Sequence, residues 1–311
     1  MTGKAFFLVG PTASGKSGVA QYIAEQDPRY EILSADSMCV YKGMDIGTAK
    51  PSAEERSRVV YHGLDLRTPD RPFSVWSYHR YACRVLSAAT DRDRRILVVG
   101  GSGLYIKCLT AGLDGAPAPD DDRRERWTSL VADAGLEALQ EELRRRDPAA
   151  YERLADRQNV RRLVRALEAV EAGHVRRKSW RAEPRSGPPA GLAYAVDELR
   201  RRIACRVTAM YDNGLMEEVR QLKERYPAWS TTASQAIGYR EALRCLAGEC
   251  SRKEAIAETV RRTRRFARRQ RTWFRHQARV SWIAVEPGMD VPEVAERVLA
   301  QWDRSGPTTV P

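Results

Sequence analysis

The run AFFLVGPTASGKS (5–17) restricts this chain more than any other part of it. An apolar stretch leads into Gly10, and Gly10, Gly15, Lys16 and Ser17 fit the pattern G-x-x-x-x-G-K-[ST]. A helical pattern follows from about Lys16. Strand, glycine-rich loop and helix in that order aim backbone N–H groups and a helix N-terminus at an anion. Lys16 adds a point charge, and the Ser17 hydroxyl can ligate Mg²⁺. The loop predicts a bound phosphate. It leaves open whether phosphate is the group transferred, as in a kinase or hydrolase, or only a handle.

Two more apolar runs share this character. YEILSADS (30–37) ends in polar residues, and RRILVVGGSGLY (94–105) ends in glycines. Apolar strands alternating with helical segments predict an α/β fold: a parallel sheet flanked by helices, like that of P-loop nucleotide hydrolases. Ligands then lie beyond the carboxyl ends of the strands, where Lys16, Asp36 and Ser102 should converge. The texture changes at DGAPAPDDD (114–122), and charged helical sequence continues to about 180. The loop RAEPRSGPPAGL (181–192) closes it, and AYAVD (193–197) reads as a strand returning to the sheet. The expected division is a core of 1–115 and 193–311 with C-terminal helices, and a helical insertion over 116–192. Helices should follow to about 279, and the tail DRSGPTTVP should fray.

The last apolar run carries no acid where enzymes using ATP hold their metal, since ILVV passes into Gly100-Gly101-Ser102-Gly103. The acid available is Asp36. It can serve as metal ligand, as general base, or as an ordinary turn or cap residue. Ser102 can bond a phosphate oxygen or Asp36, or belong to a simple Gly-Ser turn.

Charge narrows the partners. The 311 residues include 53 Lys and Arg against 41 Asp and Glu, a net charge of +12. Such an excess favours a polyanion. It concentrates in NVRRLVRALEAV (159–170), where Leu163, Ala166, Leu167 and Val170 form the apolar face, and in RRTRRFARRQRTWFRHQAR (261–279). In the second run Val260, Phe266, Ala267, Trp273 and Phe274 recur near helical spacing and read as core, which leaves the arginines for a nucleic acid. The six cysteines (39, 83, 108, 205, 245, 250) form no C-x-x-C pair. They predict neither a zinc site nor a disulfide framework, and fit reduced thiols in the cytoplasm. The opening residues are too short and unflanked for a signal peptide, and no apolar run approaches a membrane span of about 18 residues.

Six stretches together resemble one family. GPTASGKS, SADSMCVYKGMDIGTAKP (34–51), VVGGSGLYIKCL, NVRRLVRALE, QAIGYRE (235–241) and RRFARRQRTWFR follow, in order, the pattern of the bacterial tRNA dimethylallyltransferases. The second stretch is far more specific than the first. The resemblance implies that the loop holds the diphosphate of dimethylallyl diphosphate, that the five-carbon allyl group is transferred, and that the acceptor is N6 of the adenosine 3′-adjacent to the anticodon. It implies Asp36 as base, with Lys16 and Ser102 in support. Diphosphate would rest on Gly10, Thr12, Ala13, Ser14, Gly15, Lys16 and Ser17, with Arg202 and Arg206, and Mg²⁺ on Ser17. Contacts with the tRNA anticodon stem–loop would fall on Asp36, Ser37, Met38, Cys39, Ser102 and Arg124, then on Arg161, Arg162, Leu163, Val164 and Arg165, and on Gln235, Ala236, Ile237, Gly238, Tyr239 and Arg240. A cytoplasmic monomer is expected. Many relatives carry Gln in place of Cys39 and Thr in place of Ser102. The first change removes an amide near the acceptor base, and the second keeps the hydroxyl. The zinc finger of eukaryotic relatives has no counterpart spacing here. Two other readings remain: prenylation of free adenine nucleotides, which needs no large basic surface, and a small-molecule kinase, which needs ATP and a metal-binding acid.

Overall fold

The computed structural model describes residues 3–113, 120–173 and 187–311. The apolar runs become parallel strands joined through helices. β1 (Gly3–Val9) leads into α1 (Lys16–Gln26), and β2 (Tyr30–Ser34) into α2 (Ala53–Arg58) and the short β3 (Tyr61–His62). α3 (Val75–Asp91) connects to β4 (Arg95–Gly100), which is followed by α4 (Gly103–Ala111). Parallel neighbours cannot be joined by a tight turn, so each crossover must travel back along the sheet. Leu8, Ile32, Leu33, Leu97 and Val98 are buried because the sheet is covered on both faces.

The chain divides into two compact units, Met1–Gly112 with Glu183–Pro311, and Leu113–Ala182. The second contains α5 (Asp121–Arg146), α6 (Pro148–Arg153) and α7 (Val160–Glu171). Helical geometry is broken within α5 at Gly135, where φ is +81°. The unit has its own core of Trp127, Leu139, Leu143, Tyr151, Leu163, Val164 and Leu167. In α7 these apolar residues recur every three to four positions, which puts them on one face.

The chain re-enters the sheet at β5 (Ala190–Ala193). This is earlier than the strand expected at 193–197, so residues 190–192 belong to the sheet rather than to the insertion. Gly191 explains the difference. It reads as loop punctuation in the sequence, yet a Cβ there would stand 2.4 Å from Val280 Cγ1. The strand needs glycine for close approach to its neighbour.

Then come α8 (Val196–Asp212), α9 (Leu215–Arg225), α10 (Tyr239–Leu246) and α11 (Arg252–Gln277). Beyond the expected helices lie a further strand, β6 (Ser281–Ala284), a helix, α12 (Val291–Ser305), and a last strand, β7 (Thr308–Val310). The sheet order is β3-β2-β4-β1-β5-β6, with β7 antiparallel to β1. The tail is therefore not frayed. Thr308 and Val310 are 2% and 1% exposed, and Thr308 Oγ1 donates to Gly187 O at 2.6 Å. On β1, β5 pairs only with Leu8 and Val9, which leaves the other end of that strand, Gly3 to Ala5, for β7.

Candidate active site

β1, β2 and β4 run parallel with matched ends, Val9 beside Gly100 and Ser34 beside Val99. Their following loops meet at one edge. In the first loop Gly10 takes φ +152° and Gly15 φ +79°, while Ala13 holds φ +63°, a conformation costly for a residue with a side chain. Gly15 caps α1 with no side-chain bond, so the first-turn N–H groups are not satisfied by a cap. Lys16 is buried. Its Nζ donates to Pro11 O at 2.7 Å and to Ser14 Oγ at 3.4 Å. Burial, and next the Arg206 guanidinium, bring its pKa down to about 7, with Asp36 pulling the other way.

Two arginines one turn apart on α8 face this loop. Arg202 Nε donates to Ala13 O at 2.9 Å, and its guanidinium lies 5.0 Å from the centre of the Tyr194 ring. Arg206 reaches Thr12 Oγ1 at 3.3 Å and Thr48 O at 3.4 Å. Burial lowers its pKa, and Asp36 opposes that shift. Neither arginine forms an ion pair among the described residues.

Asp36 follows β2 and accepts from Met38 N at 2.8 Å through Oδ1, which fixes a tight Asx turn. Ser102 begins the turn into α4, but its side chain does not cap that helix. Its Oγ instead accepts from Ser37 N at 3.1 Å. Ser102 thus fastens the residue next to Asp36. Lys16, Ser17 and Asp36 share the wall of one cavity of about 540 Å³ with Thr12, Cys39, Thr48, Arg202 and Arg206. Ala20, Ile32, Leu64 and Val99 line it with apolar surface. Burial raises the Cys39 pKa to about 12, with the Asp36 charge adding to the shift. The thiol is neutral and no nucleophile.

The stretch 34–51 is held by Lys50, Glu218 and Tyr239, of which only Tyr239 belongs to the expected contacts. The Lys50 side chain is wholly buried and donates to Tyr41 O (2.5 Å), Asp45 Oδ1 (2.6 Å) and Asp65 Oδ1 (2.7 Å). Glu218 Oε2 accepts from Ile46 N at 2.8 Å. Tyr239 accepts from Gly47 N at 3.1 Å and donates to Glu218 at 2.5 Å. A Cβ on Gly47 would stand 2.3 Å from the Tyr239 ring.

Residues of the expected RNA set differ in what their side chains are free to offer. Tyr239 and Ala236 are buried, and the Tyr239 hydroxyl holds the 45–48 loop; of QAIGYRE, Gln235 and Arg240 are exposed and Ile237 half-buried, while Gly238 is buried. Leu163 and Val164 lie in the core of the insertion, so their side chains cannot touch a nucleic acid. Arg124 bonds Glu168 Oε1 at 3.1 Å, and Arg165 also pairs with Glu168, a buried carboxylate. Arg161 and Arg162 are exposed and form no ion pair among the described residues.

α11 buries Ala255, Thr259, Ala267, Gln270 and Phe274. Of the expected core positions, Val260, Phe266 and Trp273 are only half-buried. Arg264, Arg265, Arg268 and Arg269 are exposed and form no ion pair among the described residues, and the Arg269 guanidinium lies over the Phe266 ring. Sequence reasoning missed Gln270, whose signal was a polar residue at an apolar helical register.

Comparison with known proteins follows the same lines. The family described as IPP transferase matches residues 39–277. A tRNA dimethylallyltransferase of Synechococcus sp. (strain CC9311) is 40% identical over 94% of this chain and 92% of that protein. One from Thermobifida fusca is 41% identical, again over 94% and 92%. The crystal structure of the Bacillus halodurans tRNA isopentenylpyrophosphate transferase superposes with a TM-score of 0.68 at 33% identity, covering 97% of each chain. A eukaryotic dimethylallyltransferase acting on tRNA, 20% identical over 97% of this chain and 76% of its own, shares the fold with a TM-score of 0.72.

Proposed function

The chain belongs to the IPP transferase family, and from that membership we propose that it is a tRNA dimethylallyltransferase. The donor is dimethylallyl diphosphate. The acceptor is N6 of the adenosine 3′-adjacent to the anticodon. The observation that carries this reading is one cavity bringing a carboxylate, Asp36, against an anion cradle with three cations, Lys16, Arg202 and Arg206.

The chemistry follows from those neighbours. The lone pair of the exocyclic amine is delocalised into adenine, so the amine is a weak nucleophile. Asp36 accepts its proton as N6 bonds to C1 of the allyl group. The C1–O bond breaks, and the electron pair leaves on diphosphate. Lys16, the unsatisfied amides of α1 and the two arginines take up that charge. The acceptor base must leave its stack to reach the cavity. The apolar wall of Ala20, Ile32, Leu64 and Val99 suits the five-carbon chain and excludes water around it.

A divalent cation fits the oxygen donors present. Ser17 and Asp36 offer a hydroxyl and a carboxylate in the same cavity, hard ligands of the kind Mg²⁺ uses beside substrate phosphates. Ser17 would hold the ion, and the ion would neutralise leaving charge. The exposed arginines of α7, and separately those of α11, offer contacts for RNA phosphates. The reading includes a monomer in the cytoplasm, where the acceptor tRNA is found. No described helix is long and apolar enough to cross a membrane.

The test is Asp36→Asn, which keeps an oxygen for Met38 N but cannot take a proton. Transfer of labelled donor to tRNA should fall by about 10²–10⁴-fold with tRNA affinity within about twofold. Turnover near wild type would remove Asp36 as the base.

A further inference from the structure

α11 carries a glutamine where its register calls for an apolar side chain. Gln270 is 6% exposed, in line with Ala267 and Phe274. Burying a side-chain amide is unfavourable unless its donors and acceptors are matched. Both ends of this amide are matched, and both partners lie at the cavity. Oε1 accepts from Thr12 N at 2.8 Å. Nε2 donates to Gly101 O at 2.9 Å. Gln270 itself lines the cavity beside Lys16 and Asp36.

Thr12 and Gly101 follow β1 and β4, which are hydrogen-bonded neighbours. One amide therefore clamps the diphosphate loop to the loop that carries Ser102. Ser102 in turn holds Ser37 N, next to Asp36. The approach is close enough to dictate glycine at 101: a Cβ there would meet Gln270 Nε2 at 2.3 Å and Gly10 O at 3.0 Å. A similar contact lies one turn along the helix, where a Cβ on Gly103 would stand 2.3 Å from the Trp273 ring. The Thr12 N–H, which belongs to the phosphate loop, is taken up by Gln270 rather than left for a ligand.

We infer that Gln270 is a positioning residue for prenyl transfer: its side-chain amide, bonded to Thr12 N and Gly101 O, sets the spacing between the diphosphate cradle and the Asp36 turn. The inference rests on the reading of this cavity as the prenyl-transfer site. Although Gln270 sits among arginines on a helix with an exposed basic face, its buried side chain acts on the donor side.

Two variants test it. Gln270→Leu keeps the volume and removes both bonds. Loss of two hydrogen bonds at the cradle should weaken inorganic diphosphate binding, read by calorimetry, by about tenfold or more, and raise the donor KM in step. The tRNA affinity should stay within about twofold. Gln270→Glu separates positioning from packing. Its protonated form can accept from Thr12 N and donate to Gly101 O, whereas its ionised form can only accept. Its activity relative to wild type should therefore climb as pH falls from 8 to 6. If Gln270→Leu folds and binds diphosphate like wild type, the glutamine only fills space and the inference falls. A loss of tRNA affinity with diphosphate binding intact would assign it to the RNA surface instead. If Gln270→Leu does not fold, a flat pH ratio for Gln270→Glu overturns the inference, and a rising one supports it. Wild-type enzyme in the same assay isolates the underlying reading, since failure to label tRNA would refute prenyl transfer whatever the variants do.

Discussion

At the scale of single residues, the cavity separates the groups proposed to do chemistry from the groups that hold them. Among the described residues, Asp36 is the one carboxylate in the cavity wall. Cys39 stands beside it, yet its thiol is pushed up to about 12 by burial and by the Asp36 charge. A thiol raised that far carries almost no thiolate at pH 8 or pH 9. Iodoacetamide should therefore modify the exposed Cys205 at pH 8 and still spare Cys39 at pH 9, read by mass mapping of the folded protein. Labelling of Cys39 as fast as Cys205 would contradict this environment. The meeting of Lys16, Ser17 and Asp36 at one cavity was legible in the sequence because each follows directly on an apolar strand or its loop. Gln270 and Glu218 were not. Each acts across more than 170 positions of sequence, on Thr12 in one case and on Ile46 in the other. No local pattern encodes such a pairing.

Elements show where basic sequence is surface and where it is scaffold. α7 places Arg161 and Arg162 in solvent but turns Arg165 onto Glu168, where Arg124 also arrives. The sequence could not distinguish these arginines, since the carboxylate that separates them lies on the same helix and reads as one more surface acid. Two predictions follow from the difference. Changing Arg161 and Arg162 to Ala together should weaken tRNA binding and lower the slope of log affinity against log salt by about 1–2, at unchanged melting temperature. Changing Arg165 to Ala should destabilise the insertion by about 1–3 kcal/mol, less than a fully buried pair because Arg124 remains and Arg165 is partly exposed. Thermal unfolding and salt-dependent binding measure both; an unchanged salt slope in the double variant would move the RNA surface elsewhere. The apolar face of α7 was legible from its period. The burial of Tyr239 was not, because QAIGYRE contains polar residues that look like a binding loop. Its tyrosine instead meets a backbone amide at Gly47.

Across the whole molecule, strands with continuous apolar sequence were readable, and those set by pairing were not. β1, β2 and β4 are apolar runs covered on both faces. β5, β6 and β7 have three or four residues each, and β5 is AGLA. What makes them strands is pairing: β5 and β7 take the two ends of the vacant edge beside β1, and β6 adds to β5. Deleting residues 307–311 should thus lower stability by about 2–4 kcal/mol, through loss of the Val310 side chain and the β7 bonds. Donor binding should persist, since β7 pairs with the end of β1 remote from the diphosphate loop. Unchanged unfolding would show that β7 contributes nothing. The net charge of +12 also belongs to this scale. It fits a polyanionic acceptor, whereas a free nucleotide needs only the cavity. The most direct measurement is therefore transfer by the wild-type protein from radiolabelled dimethylallyl diphosphate, with Mg²⁺ and with unmodified tRNA, AMP or ATP as acceptor. Label should enter tRNA alone. Label in free nucleotide, or hydrolysis of ATP with no prenyl transfer, would contradict the account.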